Sequence, residues 1–289
     1  MIGDFFFAPF SEFSFMRRAL VGCLALSLGA TPVGVFLMLR RMSLTGDAMA
    51  HAILPGAAIG FLFAGLSLQA MTLGGVVAGM AVALAAGFVS RSTVLREDAS
   101  LAAFYLISLA LGVLIVSTRG SNIDLMHLLF GTVLALNNDA IVLIAGIASL
   151  SLLVLATLYR PLVLECLEPA FLRSVSSLSP LTHHAFLTLV VINLVGGFHA
   201  LGTLMSIGVM ILPAAAARFW ARDISTLIGI AVGLALLGSY AGLLLSFHAD
   251  LPTGSCIVLS IGALYVVSLL IGREGVLTNW YRSTRHLEA

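Results

Sequence analysis

Asp47 and His51 are the two ionisable side chains that lie well inside an apolar stretch of this chain, and they stand four residues apart. On a helix that spacing sets both on one face, one turn from each other. Charged groups at bilayer depth are costly, and they mark transport paths and proton relays. A carboxylate beside an imidazole also suits a divalent transition metal. Ser43 extends the pair into a polar stripe at i, i+4 and i+8, bordered by Ala48, Ala50, Ala52, Gly56, Ala57 and Ala58. Such small residues let helices pack closely in a membrane. Pro55 has no N–H, so the carbonyl of His51 loses its usual helical donor and is a candidate for a further oxygen ligand. The competing reading is a helix-start aspartate at the membrane surface and a histidine bonded to a neighbouring helix. The pairing of the two on a small-residue face favours the metal site.

One chain offers two such ligands, whereas zinc takes about four and manganese about six. Two copies related by a two-fold axis would bring two aspartates and two histidines together. A homodimeric pore with the site on its axis is the expectation. An imidazole ligates only when neutral, so uptake is expected to weaken below about pH 6.5, the ordinary histidine value.

The elements that must position this pair are membrane helices. Of the 289 residues, 60% are hydrophobic and 9% charged, against about 25% charged in a soluble protein. About nine apolar stretches have spanning or near-spanning length: roughly 16–39, 46–66, 70–90, 99–117, 139–159, 181–198, 200–219, 224–246 and 253–272. If two neighbours form one broken element, the count falls to eight. The fold class is all-α, a polytopic helical membrane protein with residues 1–289 as one transmembrane domain. The longest polar connection runs from about Arg160 to Ser179. The lipid bilayer is therefore a partner, and a net charge of +1 points to no nucleic acid.

All 14 basic residues are arginine. Without lysine there is neither a P-loop nor Schiff-base chemistry, so any ATP that drives transport is hydrolysed by another chain. H-E-x-x-H and G-x-S-x-G are also absent, and the chain reads as a transporter subunit, not an enzyme. Cys23, Cys166 and Cys256 form no C-x-x-C pair and read as inert. Met205 and Met210 read as packing residues, and His183 and His184 as a solvated pair near a helix N-terminus. The Phe-rich run from Phe5 to Phe15 reads as an interfacial lead into the first span.

Arginine placement predicts orientation. With Arg40/Arg41, Arg91/Arg96, Arg160/Arg173, Arg218/Arg222 and Arg273 in the cytoplasm, nine spans alternate correctly, while Arg17, Arg18 and Arg119 fall on the outer side. Outer connections then collect Asp124, His127, Asp139, His199, His248 and Asp250, a face that would attract cations. His199, His248 and Asp250 are the candidates for an outer mouth.

The run from Arg40-Arg41-Met42-Ser43 through Gly46-Asp47 and His51 to Leu54-Pro55-Gly56 resembles the signature of the zinc/manganese/iron ABC importer permeases. The similarity continues at Glu97-Asp98, Ile123-Asp124-Leu125 to Leu129-Phe130-Gly131, Gly202-Thr203-Leu204 to Leu212-Pro213-Ala214-Ala215, and Asp250-Leu251-Pro252-Thr253-Gly254. The resemblance implies a type II-like importer of the bacterial cytoplasmic membrane. Its parts would be two permeases, two cytoplasmic ATPases and an external metal-binding receptor. It implies that Asp47 and His51 coordinate the ion, and that a coupling loop at about 160–180 docks the ATPase through Glu168, Pro169, Ala170, Phe171 and Arg173. The family's usual aspartate is missing from that loop, with Glu168 the nearest match. No cofactor is bound permanently. Zinc is placed ahead of manganese and iron by the affinity order. The alternative is a proton- or sodium-coupled secondary carrier, which would need more intramembrane charges than these two.

Overall fold

In the computed structural model, residues 2–65, 67–95, 97–118, 133–167 and 178–278 are described. Among them every regular element is helical: α1 (Ile2–Glu12), α2 (Ser14–Leu39), α3 (Ser43–Ala52), α4 (Leu54–Ala64), α5 (Leu68–Ser92), α6 (Glu97–Thr118), α7 (Asn138–Leu167), α8 (Leu178–Leu201), α9 (Thr203–Ala217), α10 (Ile224–Ala249) and α11 (Thr253–Ile271), with a 3₁₀ turn at Val133–Ala135. In lipid a backbone must satisfy itself, which a helix does within one segment. Eight helical segments of the described residues are long and apolar enough to cross a bilayer, with α3 and α4 counted as one.

All nine apolar stretches are helices, but the seventh, α9, has 15 residues and spans about 22 Å, less than the roughly 30 Å hydrocarbon core. It runs alongside α2 in the same direction: Thr31 Oγ1 donates to the Val209 carbonyl at 3.0 Å, and Val35 clusters with Ala214 and Ala217. Gly34 permits this approach, because a Cβ there would stand 1.8 Å from the Met210 carbonyl oxygen. Helices α2, α8 and α9 form the buried centre. Met205 and Met210 are within it, as packing residues should be. Asn193 of α8 donates to Ser151 of α7 at 2.7 Å, a polar tie between helices in the core. Cys23, Cys166 and Cys256 are unpaired.

The ends of α2, α7, α9 and α11 and the start of α8 gather at one end of the bundle. Here Arg222 Nε donates to Glu274 Oε1 at 2.9 Å and the Glu274 N–H donates to the Phe219 carbonyl at 3.0 Å. The Phe-rich segment includes the helix α1, which leads into α2, with Phe10 stacked on Tyr240 of α10 at 5.2 Å between ring centroids. Two expectations change in detail. Helix α7 continues through Pro161 to Leu167, so much of the presumed polar connection is helix. His183 is buried at 7% exposure, not solvated, because Arg40 at the end of α2 packs onto its ring nitrogen. Arg17 and Arg18 remain exposed, at the opposite end of α2 from Arg40 and Arg41.

Candidate metal site

The α2–α3 turn puts the metal candidates where they stand. Leu37 accepts from the Met42 N–H at 2.9 Å and Met38 from the Arg41 N–H at 3.0 Å, with Arg41 at φ 59. This is the Schellman pattern that ends helices, with arginine in the left-handed place glycine usually takes. The chain reverses in three residues, and α3 returns against α9, with Gly46 facing Met210 and Ile211. Asp47 follows immediately.

The described span is broken at Ile53, where Pro55 follows two residues on. Polar backbone exposed by a break inside lipid needs a partner, and Ser108 of α6 supplies one by donating to the Ala52 carbonyl at 2.9 Å. Ile53 packs over Gly75 and Gly79 of α5 and towards Val191 and Val195 of α8. Gly79 and Val191 lie near the middle of their helices, so the break at Ile53 falls within the bundle and away from its ends.

His51 Nε2 lies 3.8 Å from Asp47 Oδ1, and the two side chains are 31% and 59% exposed. Both occupy the side of the bundle, not its core. The other ring nitrogen, Nδ1, is buried without a hydrogen-bond partner among the described residues, and Tyr105 of α6 stands beside the ring at 6.3 Å between centroids. Nε2 and the carboxylate oxygens are therefore the donors turned outward together. Among the described residues no group of three or more His, Cys, Asp or Glu is placed to hold a metal. The spacing-based pair is brought together; a complete site within one chain is not.

Of the outer-mouth candidates, His248 and Asp250 are exposed at the α10–α11 turn, and Asp250 takes the left-handed cap of α10 at φ 50. His199 lies near the end of α8, and its side chain is outside the described residues. Glu168, Pro169, Ala170, Phe171 and Arg173 are also outside them. Away from the pair, a cavity of about 570 Å³ opens at the arginine-rich end, lined by Trp220, Arg222, Asp223, Thr226, Arg273 and Glu274. Its two arginines face two carboxylates, so it has no net charge of its own. Sequence reasoning missed Tyr105 and Ser108, which bear no spacing relation to the pair and meet α3 at His51 and Ala52 through helix packing alone.

The model of the ABC 3 transport family matches residues 12–272. The manganese import system permease protein ScaB of Streptococcus parasanguinis is 30% identical over 90% of this chain and 91% of its own. The manganese transport system membrane protein MntC of Halalkalibacterium halodurans is 29% identical over 98% and 97%. Among solved structures, PsaBC from Streptococcus pneumoniae in complex with Fab superposes with a TM-score of 0.85 at 25% identity, covering 98% of this chain and 100% of that one. The resemblance read from the Asp47–His51 signature is thus borne out along the chain's length, and the protein belongs to the ABC 3 transport family of metal importer permeases.

Proposed function

We propose that the chain is the pore-forming permease of an ATP-driven importer for a divalent transition metal, with manganese as its cargo. The observation that carries this is the outward-facing pair: an imidazole nitrogen and a carboxylate 3.8 Å apart on a side of the bundle, too few among the described residues to hold an ion alone. A second copy across a two-fold axis supplies the missing half. Two carboxylates then balance the charge of a divalent cation, which offsets much of the cost of drawing it out of water.

Two bidentate carboxylates with two imidazoles present six donors, the number manganese favours, while monodentate carboxylates present the four that suit zinc. The donor set admits both. The names of ScaB and MntC support manganese, in place of the zinc favoured by the affinity order. Family membership supports ATP drive over a proton- or sodium-coupled carrier. Hydrolysis belongs to two partner ATPases, docked at about 160–180 through Glu168, Pro169, Ala170, Phe171 and Arg173. An external receptor hands the ion to the opposite end, where His248 and Asp250 are exposed and His199 is near. The two permeases then alternate between outward and inward states, in a bacterial cytoplasmic membrane.

The test is metal accumulation by cells, read by inductively coupled plasma spectrometry, with manganese, iron and zinc supplied in competition. Cells carrying the wild-type system should accumulate manganese first, and Asp47→Ala or His51→Ala should abolish the gain at equal membrane abundance. Unchanged accumulation in both variants would remove the site. Preferential zinc accumulation would reverse the cargo and leave the site intact.

A further inference from the structure

Arg40, Glu165 and His183 form a buried set for which ion coordination has no use. Arg40 ends α2, Glu165 stands in the last turns of α7, and His183 is in the second turn of α8. Arg40 Nη2 is 2.7 Å from His183 Nδ1 and 3.7 Å from Glu165 Oε1, with Arg40 and Glu165 side chains 10% and 4% exposed. Its guanidinium also lies over the Phe186 ring at 5.2 Å. Glu165 divides its oxygens: the second, Oε2, accepts from Ser179 Oγ of α8 at 2.9 Å. An arginine only donates, so His183 Nδ1 accepts and the ring proton is on Nε2. Arg40 Nη1 is buried with no hydrogen-bond partner among the described residues.

Burying charges in this way seldom gains stability over apolar packing, whereas orienting parts relative to each other is a use such groups do serve. The parts in question are specific. Residues 168–177 are the chain between Leu167 and Leu178, so Glu165 and Ser179 stand at the two feet of the segment assigned above to the ATPase. On the other side, Arg40 is separated from the first residue of α3 by Arg41 and Met42. That link is held tightly by the left-handed turn at Arg41 and by the Met42 N–H bond to Leu37. Asp47 and His51 follow on the same short helix.

We infer that the Arg40–Glu165–His183 set is the joint through which displacement of the feet of α7 and α8 moves α3 and its metal ligands. The inference rests on the importer reading above. Arg40, Glu165 and His183 are positioning residues: they reach the ion only through α3. Because the guanidinium holds α7 by one ion pair and α8 by one hydrogen bond and a ring face, a small relative shift of the feet must either carry Arg40 along or break a contact.

The experiment uses the assembled transporter, with permease, ATPase and receptor, in proteoliposomes with manganese, and reads manganese delivered per ATP hydrolysed. Arg40→Gln and Glu165→Gln are expected to keep ATP hydrolysis and manganese bound to the purified complex near wild type, while the ratio falls about tenfold. His183→Gln and Ser179→Ala, mild enough to preserve folding, should lower it by a smaller factor and serve if the first pair does not assemble. An unchanged ratio in the variants overturns the joint. So does a proportional fall in uptake, hydrolysis and assembled complex with the ratio intact, the mark of a merely structural clasp. Wild-type vesicles that take up neither manganese, iron nor zinc with ATP would instead overturn the importer reading, and the joint with it.

Discussion

Replacing Gly34 with alanine should damage both the bundle and transport, by an amount the contact at Met210 sets. A Cβ at this position would lie 1.8 Å from the Met210 carbonyl oxygen and 2.7 Å from its carbon. The atoms struck are backbone, so a rotamer change cannot relieve them, and α2 and α9 must separate by more than about 1 Å. Overpacking of this kind costs about 1–3 kcal/mol, and the rigidity of the partner puts Gly34→Ala at the upper end. Gly229→Ala is the control, because nothing lies within 4 Å of its added Cβ and alanine is about 1 kcal/mol the better helix former. Both positions are inside helices and share that gain, so the two variants should differ by about 3 kcal/mol, the overpacking cost alone. Transport should suffer as well, because Met210 also touches Gly46, next to Asp47. Thermal unfolding in detergent, followed by loss of the monodisperse peak, reads the first effect and manganese uptake reads the second. Equal stability of Gly34→Ala and Gly229→Ala would refute the close crossing of α2 and α9, and with it this placement of α3.

Two further outcomes follow from the same contacts. Ser108→Ala takes the donor from the Ala52 carbonyl at the α3–α4 break and should cost about 1 kcal/mol, the scale of interhelical hydrogen bonds in lipid; unfolding in detergent reads it, and Ser108→Thr, which keeps a hydroxyl, should lose less. Asp223 caps α10, and hydrogen bonds from the Thr226 hydroxyl, the Thr226 N–H and the Ser225 hydroxyl hold its carboxyl below the usual range. A lowered folded value means the contribution is complete above the unfolded carboxylate value and fades as pH falls through the folded one. Asp223→Asn should therefore unfold with a shallower loss of stability over that acidic range than wild type, as melting curves at stepped pH will record.

The membrane class was legible because hydrocarbon leaves few options: a chain with so little charge and so many long apolar runs must bury its backbone polarity in helices. The Asp47–His51 pair was legible because the two lie one helical turn apart, so local geometry alone made them neighbours. The break in the second span at Ile53 was not expected, although Pro55 lacks the N–H to continue the ladder. Expectations failed where a residue's setting came from distant chain. Pro161 with its charged neighbours reads as the end of a span, yet α7 runs on to Leu167 because α2 and α8 supply partners for Glu165 there. His183 reads as a solvated residue at a helix start, yet Arg40, 143 positions earlier, takes its nitrogen.

Composition and periodicity alone were enough for a helical membrane protein carrying one carboxylate–imidazole pair, since these follow from solvent and from spacing within a turn. Depth, exposure and partners needed the packed bundle. That His51 and Asp47 face outward together, that Ser108 closes the helix break and that a buried arginine joins three helices all depend on contacts between residues remote in sequence. Such contacts are set by how helix surfaces fit one another, a property no single helix's sequence contains.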